Sequence, residues 1–277
     1  MHKLSEFIED LSSKSTDSRV KDVSKLISRF YANFEELPEQ LPWQYRTVED
    51  FAKYFESKKG TKEQNMVFFK DMMESIYVYG YVSVLKTNEL LNSAIEGLNA
   101  GNYVPAAVCA RSMLEMACTM VYYANSFQND LVDINDAYKR NIGMSEAMLK
   151  LEKEVVTAFW GDGNRDSELR QVGVAGVIGR ISRQFDGDVP YKIYSLLCNI
   201  AHPSILGHTR FISNNDKKDD SNILVFKKTK QNDNHDTALT VLWAVSFSLD
   251  LVLAKYPQIV MIVDAIDKAS EQYKKDN

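Results

Sequence analysis

The sequence predicts an all-α protein: a multi-helix bundle with a long polar loop, residues 210–236, that has room for a short β-hairpin. Long stretches place apolar residues three and four apart, the spacing of one helix face, as in Val20, Val23, Ile27, Phe30 and Phe34. The 277 residues include only 6 Pro and 12 Gly, clustered near junctions, so long helices are easily accommodated. The 45% hydrophobic fraction can fill one large core or two modest ones. We expect a helical extension over residues 1–60 and a helical core over 61–277.

Taken in order, LSEFIEDL, RVKDVSKLISRFYANFEEL and VEDFAKYFESK each read as amphipathic helices. Between the second and third, PEQLPWQYRT carries two prolines and Trp43, which predicts an irregular bridge that folds back over the core or meets a partner. From Lys62 to Leu98 no proline occurs and helical spacing persists, with a bend expected at Gly80 inside the β-prone patch IYVYGYVSV. Asn99 and Asn102 break the run, and Pro105 suits the first turn of an antiparallel partner.

Residues 130–158 read as two shorter helices flanking RNIGMS, followed by the loop WGDGNRDSE. Leu169 to Phe185 is helical in pattern, with Gly173, Gly176 and Gly179 marking either close helix contact or looseness. Asp188 and Pro190 predict an N-cap and first turn for YKIYSLLCNIA, which must end at His202 because Pro203 follows. After the polar stretch flanking NILVFK, helices are expected over Thr237–Ala254 and Gln258–Lys274.

The net charge of -5 argues against capture of bulk DNA on a broad basic face but leaves room for a local RNA or nucleotide groove. The one basic cluster, Lys227, Lys228 and Lys230, faces dilution by Asp216, Asp219 and Asp220. Cys109, Cys118 and Cys198 sit in apolar helical sequence and read as small hydrophobes in a reducing compartment. MHKLSEFIEDLSSKS lacks the pattern of a secretory leader, so a cytoplasmic location is expected. ALTVLWAVSFSLDLVLA approaches spanning length but contains Asp250, which favours a core helix over a membrane segment.

The chemistry concentrates at Arg111 and Glu115 inside VPAAVCARSMLEMACTMVYYA and at His202 in YSLLCNIAHPS. Charge in an apolar helix must be satisfied by partners or ligands. Val108, Arg111, Glu115, Cys118 and Tyr122 form one expected stripe, and Tyr191, Ser195, Cys198 and His202, with Asn199 beside them, form another. Two readings stand side by side. In one, Arg111 and Glu115 are a buried pair fixing helix register and His202 caps a helix end. In the other, Arg111 clamps a phosphate, His202 moves a proton, and Glu115 orients either group. His202 and His208, with Glu115, are a weak metal set, and no metal or other cofactor is expected.

With ARSMLEMACTMVYY followed later by YSLLCNIAHPS, the chain resembles the HEPN-like helical superfamily, nearest a bacterial family of unknown function with Arg-x3-Glu and His-Pro-Ser signatures. The likeness covers Tyr103 to about Lys255. It implies an RNA- or nucleotide-directed role in stress or phage defence, with a metal-independent ribonuclease site usually completed by a homodimer. In that branch an Arg precedes the His by four to six residues, but here Tyr194 to Leu197 contain none. His202 matches the family's histidine, and Arg111 from the neighbouring helix is expected to supply the missing charge; the candidate site residues are then Arg111, Glu115 and His202 for catalysis, and Tyr194, Ser195 and Asn199 for ligand binding. The alternative is a noncatalytic binding or assembly protein whose N-terminal helices meet a protein partner, with no membrane association.

Overall fold

The computed structural model describes residues 2–44, 48–139, 145–161, 172–202, 212–218, 221–226 and 235–275, and these are overwhelmingly helical. The chain opens with α1 (Glu6–Ser13), α2 (Ser18–Lys21), α3 (Val23–Glu35) and α4 (Val48–Glu56). Two long helices follow, α5 (Thr61–Asn99) and α6 (Tyr103–Lys139), then α7 (Ser145–Trp160), α8 (Val174–Ser182) and α9 (Val189–Ala201). The last, α10, runs from His235 to Lys275. The all-α expectation holds. Within the polar stretch, β1 (Ile212–Lys218) and β2 (Ser221–Phe226) pair antiparallel, with a register shift between Ile212 and Asn214.

Several boundaries differ from the sequence expectation. The second N-terminal helix is divided at Asp22, and α2 starts behind Asp17, whose carboxylate accepts the Arg19 N–H at 2.8 Å. Residues 130–139 are the end of α6 rather than a separate helix, because no Pro or Gly interrupts the chain between Pro105 and Gly143. α10 is one helix through Pro257. That proline removes one backbone donor, but side chains tie the flanking turn down: Lys255 Nζ donates to Gln258 Oε1 at 2.7 Å and to Asn125 Oδ1 at 3.0 Å. The patch around Gly80 is helical, and the glycine serves close packing, since a Cβ there would lie 3.0 Å from Ile259 Cγ2. Most of WGDGNRDSE and Leu169 to Gln171 lie outside the described residues, as do Lys227, Lys228 and Lys230.

Packing divides the chain into two compact units. The first holds Met1–Glu36, Lys86–Cys118 and Val174–Leu251; the second holds Leu37–Leu85, Thr119–Gly173 and Val252–Asn277. Residues 1–36 belong with the first because they are built into it. Ile8, Val23 and Phe30 are buried, and Asn99 bonds both the Ser5 N–H and the Lys3 carbonyl. The Trp243 indole N–H donates to Asp17 Oδ2 at 3.1 Å, while Arg19 lies over the Phe247 ring and pairs with Asp250 at 3.2 Å.

The second unit is aromatic-rich. Tyr79, Tyr123 and Phe127 meet edge to face or stacked, and Trp43 stacks on Phe159 with ring centroids 5.0 Å apart. The Tyr81 hydroxyl donates to the Pro38 carbonyl, so the proline-containing bridge does fold back onto packed helices. Two helical stretches, Tyr103–Ala137 and His235–Glu271, are long and apolar enough to cross a membrane by length and composition alone. Their most apolar windows are 50% and 67% buried within the protein, as core helices are.

Candidate functional site

The candidate site lies within the first unit, on α6 and α9. On α6 the small and apolar residues Ala106, Ala110, Met113, Leu114 and Ala117 are buried and set the inward face. Arg111 and Glu115 fall beside that face and are half-buried, with side chains 26% and 25% exposed. On α9, Leu197 and Ile200 point inward; Tyr194, Ser195, Cys198 and Asn199 are half-buried, and Tyr191, Leu196 and His202 are exposed. The start of α9 is fixed across helices rather than by its expected cap. Asp188 has a left-handed backbone, φ 52, and makes no side-chain cap bond. The Oγ of Ser182, from α8, accepts the Tyr191 N–H at 3.1 Å instead.

His202 ends α9 as expected, with an extended backbone (φ -88, ψ 156) and its N–H on the Cys198 carbonyl at 2.9 Å. Its ring reaches the α6 pair. Arg111 Nε donates to Glu115 Oε1 at 2.8 Å, the Tyr194 hydroxyl donates to the same oxygen at 3.1 Å, and Arg111 Nη1 approaches His202 Nε2 at 3.4 Å. The guanidinium also lies 5.8 Å from the centroid of the Tyr194 ring. The structure therefore brings together Arg111, Glu115, Tyr194 and His202. Ser195 and Asn199 share the helix and are half-buried.

The electrostatics are those of a braced cation. Burial works to lower the Arg111 pKa, but the hydrogen bond and charge of Glu115 outweigh it and hold the guanidinium above its ordinary value. Burial, then the Glu115 charge and a Cys198 contact, push the Tyr194 phenol far above the ordinary tyrosine range, so it stays a donor. A guanidinium has donors only, so a bond from Nη1 to His202 requires an unprotonated Nε2 and places the imidazole proton on Nδ1. The arrangement can present a fixed cation beside an imidazole lone pair, with Glu115 and Tyr194 holding the cation in place.

Other sequence candidates separate from this centre. Val108 is 43% exposed and Cys118 is buried, its thiol pushed up to about 12 by burial, so the expected α6 stripe twists from surface to core. His2 lies 3.3 Å from Glu96, the His235 ring meets Phe7, and His208 is outside the described residues. Among the described residues no group of three or more His, Cys, Asp or Glu is placed to hold a metal ion. Sequence reasoning did not find the Ser182 bond to α9 or the exposure of Tyr191; a serine directly before the helix break was the only available sign of the first. No protein-family model, curated protein or solved structure matches this chain.

Proposed function

We propose that Arg111 and His202 act on a phosphate of RNA or a nucleotide, and that the reaction is metal-independent cleavage of RNA by a HEPN-like protein. The observation that carries this reading is the 3.4 Å approach of Arg111 Nη1 to His202 Nε2, with the guanidinium braced from behind by Glu115. Arg111, from a neighbouring helix, would stand where that family places an Arg shortly before the His. The Tyr194 hydroxyl is committed to Glu115, which favours a nucleophile brought by the substrate. As the incoming phosphate draws Arg111 Nη1 off the ring, the freed His202 Nε2 lone pair takes the ribose 2′-hydroxyl proton while that oxygen attacks the phosphorus. Arg111 stabilises the charge on the phosphoryl oxygens, and the 5′-oxygen leaves as the imidazolium or water returns a proton, giving a cyclic phosphate and a 5′-hydroxyl. A cytoplasmic defence role, a homodimer and a protein partner at the N-terminal helices belong to the same proposal and rest on the resemblance. RNA incubated in chelator with wild type, His202→Ala and Arg111→Ala tests it: cleavage by wild type alone is expected, and equal cleavage by all three would overturn it.

A structural clasp is the second reading, favoured by the full pairing of Glu115 Oε1 with two donors in a half-buried setting. Thermal melts separate the two. If Arg111→Ala and Glu115→Ala melt like wild type yet abolish a ligand effect, the clasp account is wrong.

A further inference from the structure

Beside the charged cluster, the first turn of α9 carries an aromatic side chain that the proposed chemistry does not use. Tyr191 is 43% exposed, and its ring lies 6.4 Å from the Tyr194 ring, which in turn lies 5.8 Å from the Arg111 guanidinium. Ring, ring, guanidinium and imidazole thus form one file on two helices. The turn that carries the first ring is pinned: Ser182, itself buried, accepts the Tyr191 backbone N–H at 3.1 Å. An exposed aromatic on a pinned turn loses little freedom when a flat partner stacks on it.

Charge carried by the same helix ends selects the partner. Lys192, next in the chain on α9, and Arg183, just past the end of α8, are exposed and have no ion-pair partner among the described residues. Asp186 and Asp188 occupy the intervening turn and temper that charge. A partner must therefore supply a flat apolar face for Tyr191 and an anion for the cations and Arg111. A nucleobase joined to its phosphate backbone supplies both, and only an unpaired strand leaves a base face free.

We propose that Tyr191 is a base-stacking subsite for single-stranded RNA whose neighbouring phosphate sits at Arg111. This inference rests on the phosphate-handling reading above. The test is binding of a labelled single-stranded oligoribonucleotide, and of a strand of the same length with abasic sugars, to the whole chain. Catalysis is blocked by His202→Ala in every arm. Tyr191→Ser is expected to weaken binding of the intact strand roughly tenfold, within the range of one lost base stack. Tyr191→Phe should recover most of that loss, and the abasic strand should bind the parent and Tyr191→Ser alike. If Tyr191→Ser binds like its parent while Arg111→Ala loses affinity, the stacking subsite is wrong and the phosphate reading stands. If the parent binds neither strand, both fall. Loss of self-association in Tyr191→Ser, seen by sedimentation with RNA affinity unchanged, would make this face a contact between copies and overturn the subsite.

Discussion

Because Glu115 Oε1 accepts from both Arg111 and Tyr194, removing that one carboxylate unseats two neighbours, whereas removing the Tyr194 hydroxyl leaves the ion pair in place. Glu115→Ala should cost about 1–2 kcal/mol, between the values for exposed and fully buried pairs. Tyr194→Phe should cost about 1 kcal/mol or less, the net worth of one hydrogen bond. Urea unfolding of both variants checks the order, and a larger loss in Tyr194→Phe would show that the phenol rather than the carboxylate organises the site. At this scale Arg111, Glu115 and His202 were legible because charge inside apolar helical sequence demands a partner. What Ser195 and Asn199 touch was not readable from sequence, since a half-turn of rotation decides whether a helical side chain reaches a cluster. The Ser182 bond to Tyr191 joins two helices, and spacing within one helix carries no trace of it.

Two helical glycines should respond oppositely to the same change. A Cβ at Gly80 would lie 3.0 Å from Ile259 Cγ2 and 3.4 Å from Tyr256 Cδ2, and Ile259 is fully buried with a branched Cβ that cannot swing aside. Gly80→Ala should destabilise by about 1 kcal/mol, strain of about 1–3 kcal/mol exceeding the helix-propensity gain of about 1. At Gly176 in α8 no atom of the described residues lies within 4 Å of the added carbon, so Gly176→Ala should stabilise by up to about 1 kcal/mol. Thermal melts of the pair decide it, and the same sign at both sites would refute the packing argument. The existence of these helices was readable from spacing and scarce proline. Their limits were not: Asp22 splits a pattern that looked continuous, and Pro257 fails to split one, because side-chain ties outweigh local preference.

Across the molecule, burial has set several titrations apart from their ordinary ranges. Tyr79, Tyr194 and Tyr256 are pushed far up and Tyr123 up to about 12, in each case first by burial. An unfolded phenol ionises near about 10, so the native state keeps its advantage below that pH and loses it as pH climbs toward the higher folded values. Alkaline unfolding should therefore begin near about pH 10 and release these tyrosines together in phenolate absorbance; a smooth, independent titration of all 14 would contradict it. Glu152 is raised above its ordinary 4.5 by burial and then by Asp71. Its proton is favoured in the folded state, so its contribution is full below about pH 4.5 and is lost as pH rises through the folded value. Glu152→Gln should melt higher than wild type at neutral pH and no differently at pH 4, a contrast that differential calorimetry reads directly. Fold class was legible at this scale because it follows from periodicity; the division into units was not, because it depends on which distant stretches pack together.

That division bears on biosynthesis. The unit carrying the Arg111 cluster draws on stretches ending at Glu36, Cys118 and Leu251, so a ribosome working from the amino end must pass residue 251 before the set is complete. Until then the emerging α6 must wait with its alanine- and methionine-lined side uncovered, in a cell whose chaperones bind such surfaces. A chain released between residues 202 and 251 carries Arg111 and His202 but lacks part of the final stretch of the unit that houses them, so such a fragment should fail to hold the two side chains together, however much of the motif it contains.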